Sequence, residues 1–136
     1  MQYKLASSIL AAIILGLISI IGPIFFLSVR AYDAPLFPWA RTAIENLGLV
    51  PLLLLIATGF FLGLISSVRF WLLGFFMIAA FPLLSILEGI VDPHSHRIFG
   101  LELFVYAVLG LTASVSVFAG QKVKGKLRRG WGGGRI

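Results

Sequence analysis

The sequence predicts an all-α integral membrane protein, a bundle of four transmembrane helices with a short interfacial segment between the first two. Three observations support this class. Of the 136 residues, 60% are hydrophobic and 12% are charged, whereas a soluble domain carries about 25% charged residues. The apolar residues form four long runs, and a span needs roughly 20 residues to cross a hydrocarbon core about 30 Å thick. The charged residues gather between and beyond these runs.

The predicted spans cover residues 5–29, 47–68, 70–91 and 98–119. They form a transmembrane domain, 1–120, followed by a basic, glycine-rich tail, 121–136. The first run also suggests a signal peptide, but signal h-regions are only about 7–15 residues long, so we expect a retained helix. The short connection around Ser67 predicts that the second and third spans form an antiparallel hairpin.

The connection at 30–46 is the longest, and it predicts a segment lying on the membrane surface. Aromatic side chains prefer the headgroup level, and Trp39 lies here. From Pro38 onward, a short helix would place Trp39, Ala43, Ile44 and Leu47 on one face. Arg41 and Glu45 would pair on the opposite face, since residues four apart are neighbours on a helix.

The charge distribution predicts the orientation. With four crossings, one side of the membrane holds Lys4, Arg69, Lys122, Lys124, Lys126, Arg128, Arg129 and Arg135. The other side holds Arg30, Arg41 and Arg97 with all the acids, Asp33, Glu45, Glu88, Asp92 and Glu102. The positive-inside rule then places both termini in the cytoplasm of a multi-pass cell-membrane protein.

The net charge of +6 is therefore interpreted as a topology signal, and no nucleic-acid partner is expected. The basic tail has two interpretations. It is either a cytoplasmic anchor alone or a contact for anionic lipid, to which each basic residue contributes about 1 kcal/mol.

Small residues at regular spacing predict how the spans pack. Gly59 and Gly63 form a GxxxG pair that lets a neighbouring helix approach closely. Further small-residue stripes are Ser8–Ala12–Gly16, Ser85–Gly89 and Gly110–Ser114. We expect packing within one chain in preference to a homodimer seam.

One candidate binding site lies at the outer membrane boundary, where the predicted polar residues are Glu45, Glu88, Asp92, His94, His96 and Glu102. A carboxylate at the edge of hydrocarbon is costly unless it is paired or faces the bundle. His94 and His96, with Glu88 and Asp92, are candidate ligands for a divalent metal, the one cofactor considered. Their spacing matches no established metal motif. The alternative is a structural network in which Arg30, Arg41 and Arg97 pair with the glutamates.

Motifs for chemistry are missing, and no catalytic residue is predicted. The chain has no cysteine, which excludes dithiol oxidoreductases, and it contains no HExxH, GxSxG or phosphate-binding glycine loop. No charge lies at the centre of a span, which argues against proton-coupled exporters and voltage sensors. The leading hypothesis is a non-enzymatic accessory or structural component of a membrane complex, in contact with lipid and other membrane proteins. Two alternatives stay open: a cation transporter or channel using the outer cluster, and a metal-dependent membrane enzyme.

Overall fold

The computed structural model describes residues 2–31, 36–91 and 99–132. The elements are α1 (Gln2–Phe26), α2 (Pro38–Glu45), α3 (Leu49–Ile65), α4 (Phe70–Ile78), α5 (Ala80–Val91) and α6 (Phe99–Gly132). No strand occurs in these ranges. The predicted all-helical class is therefore confirmed for the part of the chain that the structure describes.

Three stretches are long and apolar enough to cross a membrane: Tyr3–Phe26, Phe70–Val91 and Gly100–Arg129. A fourth is counted if α2 and α3, which meet at an angle of 102°, form one broken span. By itself α3 has 17 residues, which is about 26 Å of helix and the lower limit for a span. The fold is thus all-helical with three to four candidate spans.

The stretch predicted as one span at 70–91 consists of two helices. Ala79 separates α4 from α5, and Pro82 lies one turn later. Proline has no N–H to donate to the Ile78 carbonyl, and its ring crowds that carbonyl, so the helix breaks here. Before the break, α4 packs along α1 and α6, and beyond the break α5 lies less closely against α6.

Helix α6 is at the centre of the fold, between α3 and α4, and glycines bring the backbones together. A Cβ atom on Gly63 would overlap the Val117 backbone, and one on Gly120 would overlap the Phe60 carbonyl. A Cβ atom on Gly16 would likewise overlap the Met77 carbonyl of α4. Such close approach is the usual role of small residues in membrane helices.

The structure differs from the expected tail because α6 continues as a helix to Gly132. Lys124 Nζ donates hydrogen bonds to the Ile65 carbonyl (2.9 Å) and to Ser67 Oγ (3.0 Å), and Gln121 donates to the Val68 carbonyl. A helix leaves its last carbonyls without intrahelical donors. The start of the predicted tail therefore completes the end of α3 and is held against the α3–α4 turn.

The molecule has two ends that differ in charge. The basic end comprises the start of α1, the turn at 66–69 and the end of α6, and a hydrogen bond from Ser66 Oγ to Ser8 Oγ (3.1 Å) joins two of these. The acidic end comprises the end of α1, helix α2, the end of α5 and the start of α6. There Phe25 stacks on Trp39, with ring centroids 5.0 Å apart.

Candidate functional site

A crevice opens at the acidic end where α2, the end of α5 and the start of α6 meet. It contains a cavity of about 30 Å³, enough for about two water molecules. Its polar lining residues are Arg41, Glu45, Ser85, Glu88, Glu102 and Tyr106. We call this set the acidic crevice. The divergence of α5 from α6 beyond the break at Ala79 leaves room for it.

Each helix contributes two polar side chains about one turn apart. Arg41 and Glu45 are four residues apart on α2, and Ser85 and Glu88 are three apart on α5. On α6, Glu102 and Tyr106 are again four apart. Because residues three or four apart share a helix face, three separate helices present polar pairs toward one point.

Arg41 joins α2 to α5 electrostatically. Its Nε lies 3.0 Å from Glu45 Oε1, and its Nη1 lies 3.8 Å from Glu88 Oε1. The side chain of Glu88 is only 4% exposed, and a buried carboxylate requires a compensating charge. The hydrogen bond to Glu45 raises the pKa of Arg41 above its ordinary value, against the opposing effect of partial burial. The guanidinium therefore stays charged beside Glu88.

A neutral hydrogen bond lies one turn deeper. Ser85 Oγ and Tyr106 OH are 2.6 Å apart, and Tyr106 is buried. This bond joins α5 to α6 below the carboxylates. Phe81, which is fully buried, closes the cavity toward the interior.

The structure brings three of the predicted site residues together, since Glu45, Glu88 and Glu102 line the same cavity. Asp92, His94 and His96 lie outside the described residues. In the ranges that are described, no group of three histidine or acidic side chains is placed to hold a metal ion. The predicted metal site depends on His94 and His96, so it stays a prediction.

Three members of the crevice were not among the predicted site residues: Arg41, which was predicted only as an ion-pair partner of the glutamates, and Ser85 and Tyr106, which were not predicted for this site at all. A signal for Ser85 and Tyr106 is present in the sequence. Ser85 precedes Glu88 by three positions, and Tyr106 follows Glu102 by four. A search for polar residues one turn from each boundary glutamate would have found both.

The arrangement can fasten α2 to the bundle, but it has little space for a substrate. Three carboxylates face one guanidinium among the described residues, and the cavity has room for only about two water molecules. On Glu102, Oε2 is buried without a hydrogen-bond partner within the described ranges. The crevice is therefore a compact charged contact between three helices.

The predicted packing pair, Gly59 and Gly63, lies away from the crevice, on the face of α3 that meets α6. Added Cβ atoms there would meet Ser116 and Val117 of α6. Comparison of the chain with protein-family models, curated proteins and solved structures finds no match.

Proposed function

We propose that this chain is a four-span membrane protein with both termini in the cytoplasm, and that it is a non-enzymatic accessory or structural component of a larger membrane assembly. The observation that carries the proposal is a closed interior beneath an apolar exterior. Inside the bundle, glycines bring helix backbones into contact. Outside, large apolar side chains are exposed along most of the helices.

The register of α3 against α1 supports a fourth crossing. Ser19 Oγ lies 2.8 Å from Thr58 Oγ1, and Ser8 Oγ lies 3.1 Å from Ser66 Oγ. Moving from the first contact to the second covers eight residues of α3, or about 12 Å of helix. Helix α3 thus runs antiparallel beside α1 to the basic end, as expected of a span.

The outward-facing side chains support insertion into lipid. Leu111 and Val115 of α6 are 67% and 66% exposed, and Phe61 of α3 is 61% exposed. Soluble proteins rarely present contiguous apolar patches larger than a few hundred Å². Surrounding lipid would remove the free-energy cost of exposing these apolar side chains to water.

The charges of the described residues support the orientation. The cations at the basic end are Lys4, Arg69, Lys122, Lys124, Lys126, Arg128 and Arg129. The described carboxylates, Glu45, Glu88 and Glu102, are all at the acidic end. The positive-inside rule assigns the basic end to the cytoplasm.

A closed interior favours an accessory role over transport. A cation pathway from the acidic crevice would need a water-filled route to the basic end. In the described part of the chain, the fully buried side chains of Phe81, Met77 and Leu73 follow one another below the crevice. An apolar interior of this kind offers a cation no ligands, and burying an unpaired charge is costly.

Single-cysteine labelling tests the topology, because the chain has no cysteine of its own. Ser28→Cys lies at the acidic end and Ser67→Cys at the basic end, both at exposed positions. We expect a membrane-impermeant maleimide to label the first variant in intact cells and the second only after permeabilisation. Equal labelling of both in intact cells would contradict the four-span proposal.

Native mass spectrometry of the untagged protein, extracted in mild detergent from its own membrane, tests the accessory role. We expect a stable larger assembly that contains this chain and carries no metal. A lone monomer or dimer carrying one metal ion, lost on His94→Ala or His96→Ala, would overturn the accessory role. That result would favour the metal-dependent alternative.

A further inference from the structure

We propose that α3 and α6 hold one anionic phospholipid of the leaflet at the basic end. Its acyl chain lies in the groove between the two helices, and its phosphate binds Lys122, Lys126 and Arg129. This inference rests on the proposed insertion into a membrane. It does not depend on the proposed accessory role.

The groove between α3 and α6 has the shape that an acyl chain needs. It is open on one side, has a volume of about 860 Å³ and is lined almost entirely by apolar side chains. On α6 it extends from Val108 to Ala119. That length of helix is about 16 Å, roughly half of a 30 Å hydrocarbon core and thus the depth of one leaflet.

The face of α6 that borders the groove leads directly to three cations. The exposed apolar residues Val108, Leu111, Val115 and Phe118 recur at intervals of three or four. The same intervals continue through Lys122, Lys126 and Arg129. Residues at this spacing lie on one helix face, so the apolar stripe becomes basic one turn after the groove ends.

Lys122 shows how the two parts of the stripe meet. Its Nζ lies 5.2 Å from the centre of the Phe118 ring. Lysine side chains at a membrane boundary cover apolar surface with their methylene groups while the charged head stays at the headgroup level. The Phe118 ring packs against Phe70 of α4, with centroids 5.1 Å apart, so the ammonium group lies on the α4 side of the stripe, one turn beyond Ala119, the last α6 residue that lines the groove.

The charge at this end complements an anionic headgroup. Lys122, Lys126 and Arg129 are all exposed, and the carboxylates that the structure describes all lie at the acidic end. Lysine and arginine are the usual donors to phosphate oxygens. Phosphate at this position would neutralise a concentration of positive charge on one helix face.

A second groove, between α4 and α6, provides an internal comparison. Its volume is about 690 Å³, and Ala107 and Ser114 of α6 line it. On the face of Ser114, Gln121 follows seven residues later and is bonded to the Val68 carbonyl. The first cation of that face is Arg128, about 21 Å from Ser114 along the helix. This groove therefore has no cation on its own face of α6 before Arg128, although Lys122 reaches toward α4 over the Phe118 ring, which packs on Phe70.

The test uses the full chain in nanodiscs of equal parts phosphatidylcholine and phosphatidylglycerol, with retained lipids identified by native mass spectrometry. We expect one phosphatidylglycerol to be retained. Each basic residue changes the affinity for an anionic lipid roughly fivefold. A triple variant should therefore weaken phosphatidylglycerol retention about a hundredfold; it combines Lys122→Gln, Lys126→Gln and Arg129→Gln. The matched control, Lys4→Gln with Arg69→Gln and Arg128→Gln, removes the same charge from the same end and should retain the lipid.

Two alanine variants separate the acyl groove from the charge. Ala57→Phe fills the α3–α6 groove, and Ala107→Phe fills the α4–α6 groove. Both alanines are exposed, so neither change disturbs the core. We expect Ala57→Phe to weaken phosphatidylglycerol retention at least tenfold and Ala107→Phe to leave it unchanged.

Three results would overturn the site. These are no preference for phosphatidylglycerol in the wild type, equal loss in the two triple variants, and equal loss in the two alanine variants. A further control measures heparin binding to the protein in phosphatidylcholine nanodiscs. If heparin binds more tightly than phosphatidylglycerol does, and if the Lys122 triple variant abolishes that binding, the basic face belongs to a soluble polyanion instead. Failure of the chain to enter nanodiscs would count against membrane insertion itself.

Discussion

The two ends of this molecule use charge in opposite ways. At the acidic end, Arg41, Glu45 and Glu88 point at one another across a crevice between helices. At the basic end, cations such as Lys122 and Lys126 point outward. Inward charge can connect helices to each other, whereas outward charge is available to a surface beyond the protein.

The packing beneath the two ends differs as well. Toward the basic end, α3 and α6 touch through their backbones at Gly63 and Gly120. Toward the acidic end, α5 diverges beyond Ala79 and polar side chains fill the space. Backbone contact between helices therefore stabilises the basic end, and electrostatic contacts between side chains stabilise the acidic end. Four substitutions test this division, in order of decreasing expected effect.

The largest effect is expected for Gly63→Ala. The new methyl group would overlap the Val117 backbone, and separating two packed helices should cost about 3 kcal/mol of unfolding free energy. Reversible unfolding in mixed micelles measures this quantity. Gly110→Ala is the matched control, because nothing lies within 4 Å of its added Cβ. Alanine is the better helix former, so the control should gain up to about 1 kcal/mol. Equal losses in the two variants would contradict the backbone-contact account.

Arg41→Met tests the acidic end. The substitution removes the guanidinium that faces the buried Glu88. We expect the free energy of unfolding to fall by about 2 kcal/mol. This loss is smaller than the usual cost of breaking a fully buried ion pair, because Arg41 is partly exposed. Glu45→Gln should cost only about 0.5 kcal/mol, since that pair is more exposed. Adding Glu88→Gln to Arg41→Met should recover part of the loss. No recovery in the double variant would show that Arg41 acts through packing alone.

Lys124→Met tests a junction where a basic-end cation is hydrogen-bonded within the protein. It removes the hydrogen bonds to the Ile65 carbonyl and to Ser67 Oγ. We expect a loss of about 1 kcal/mol, reduced from the value for a charged hydrogen bond by partial exposure. Lys126→Met, two positions along the same helix, should change stability by less than about 0.5 kcal/mol. If the Lys126 variant were the less stable one, the outward assignment of that cation would be wrong.

The smallest effect is expected at the end of α1. Ser28 has φ of 52°, the left-handed conformation, and the Val29 N–H donates to the Ile24 carbonyl (3.1 Å) to close the helix. Glycine adopts this conformation without strain, so Ser28→Gly should gain about 0.5–1 kcal/mol. Ser28→Val, which is branched at Cβ, should lose stability in the same assay. A gain in the valine variant would show that the turn relaxes in solution.

Much of the fold could be predicted because it depends on local properties. Apolar runs of sufficient length predict helices, and the division of charge between the connections is visible without coordinates. The break at Ala79 was not predicted, although Pro82 was visible inside the span. The helical course of 121–132 was also not predicted, because 121–136 was described only as a basic, glycine-rich tail after the last span. The bonds from Gln121 and Lys124 to the α3–α4 turn support that helix.

The sequence by itself determined the helical class, the apolar stretches and the opposite charge of the two ends, because each follows from composition and period along a single segment. Only the tertiary structure decided which small residues matter. Gly63 meets a neighbouring backbone and Gly110 meets open space, although both belong to similar small-residue stripes. It also decided that Glu45, Glu88 and Glu102 share one cavity with Ser85 and Tyr106. The physical reason is the rotation of each helix about its own axis. Packing against neighbours sets that rotation, and the pattern along one helix does not specify which neighbour it will face.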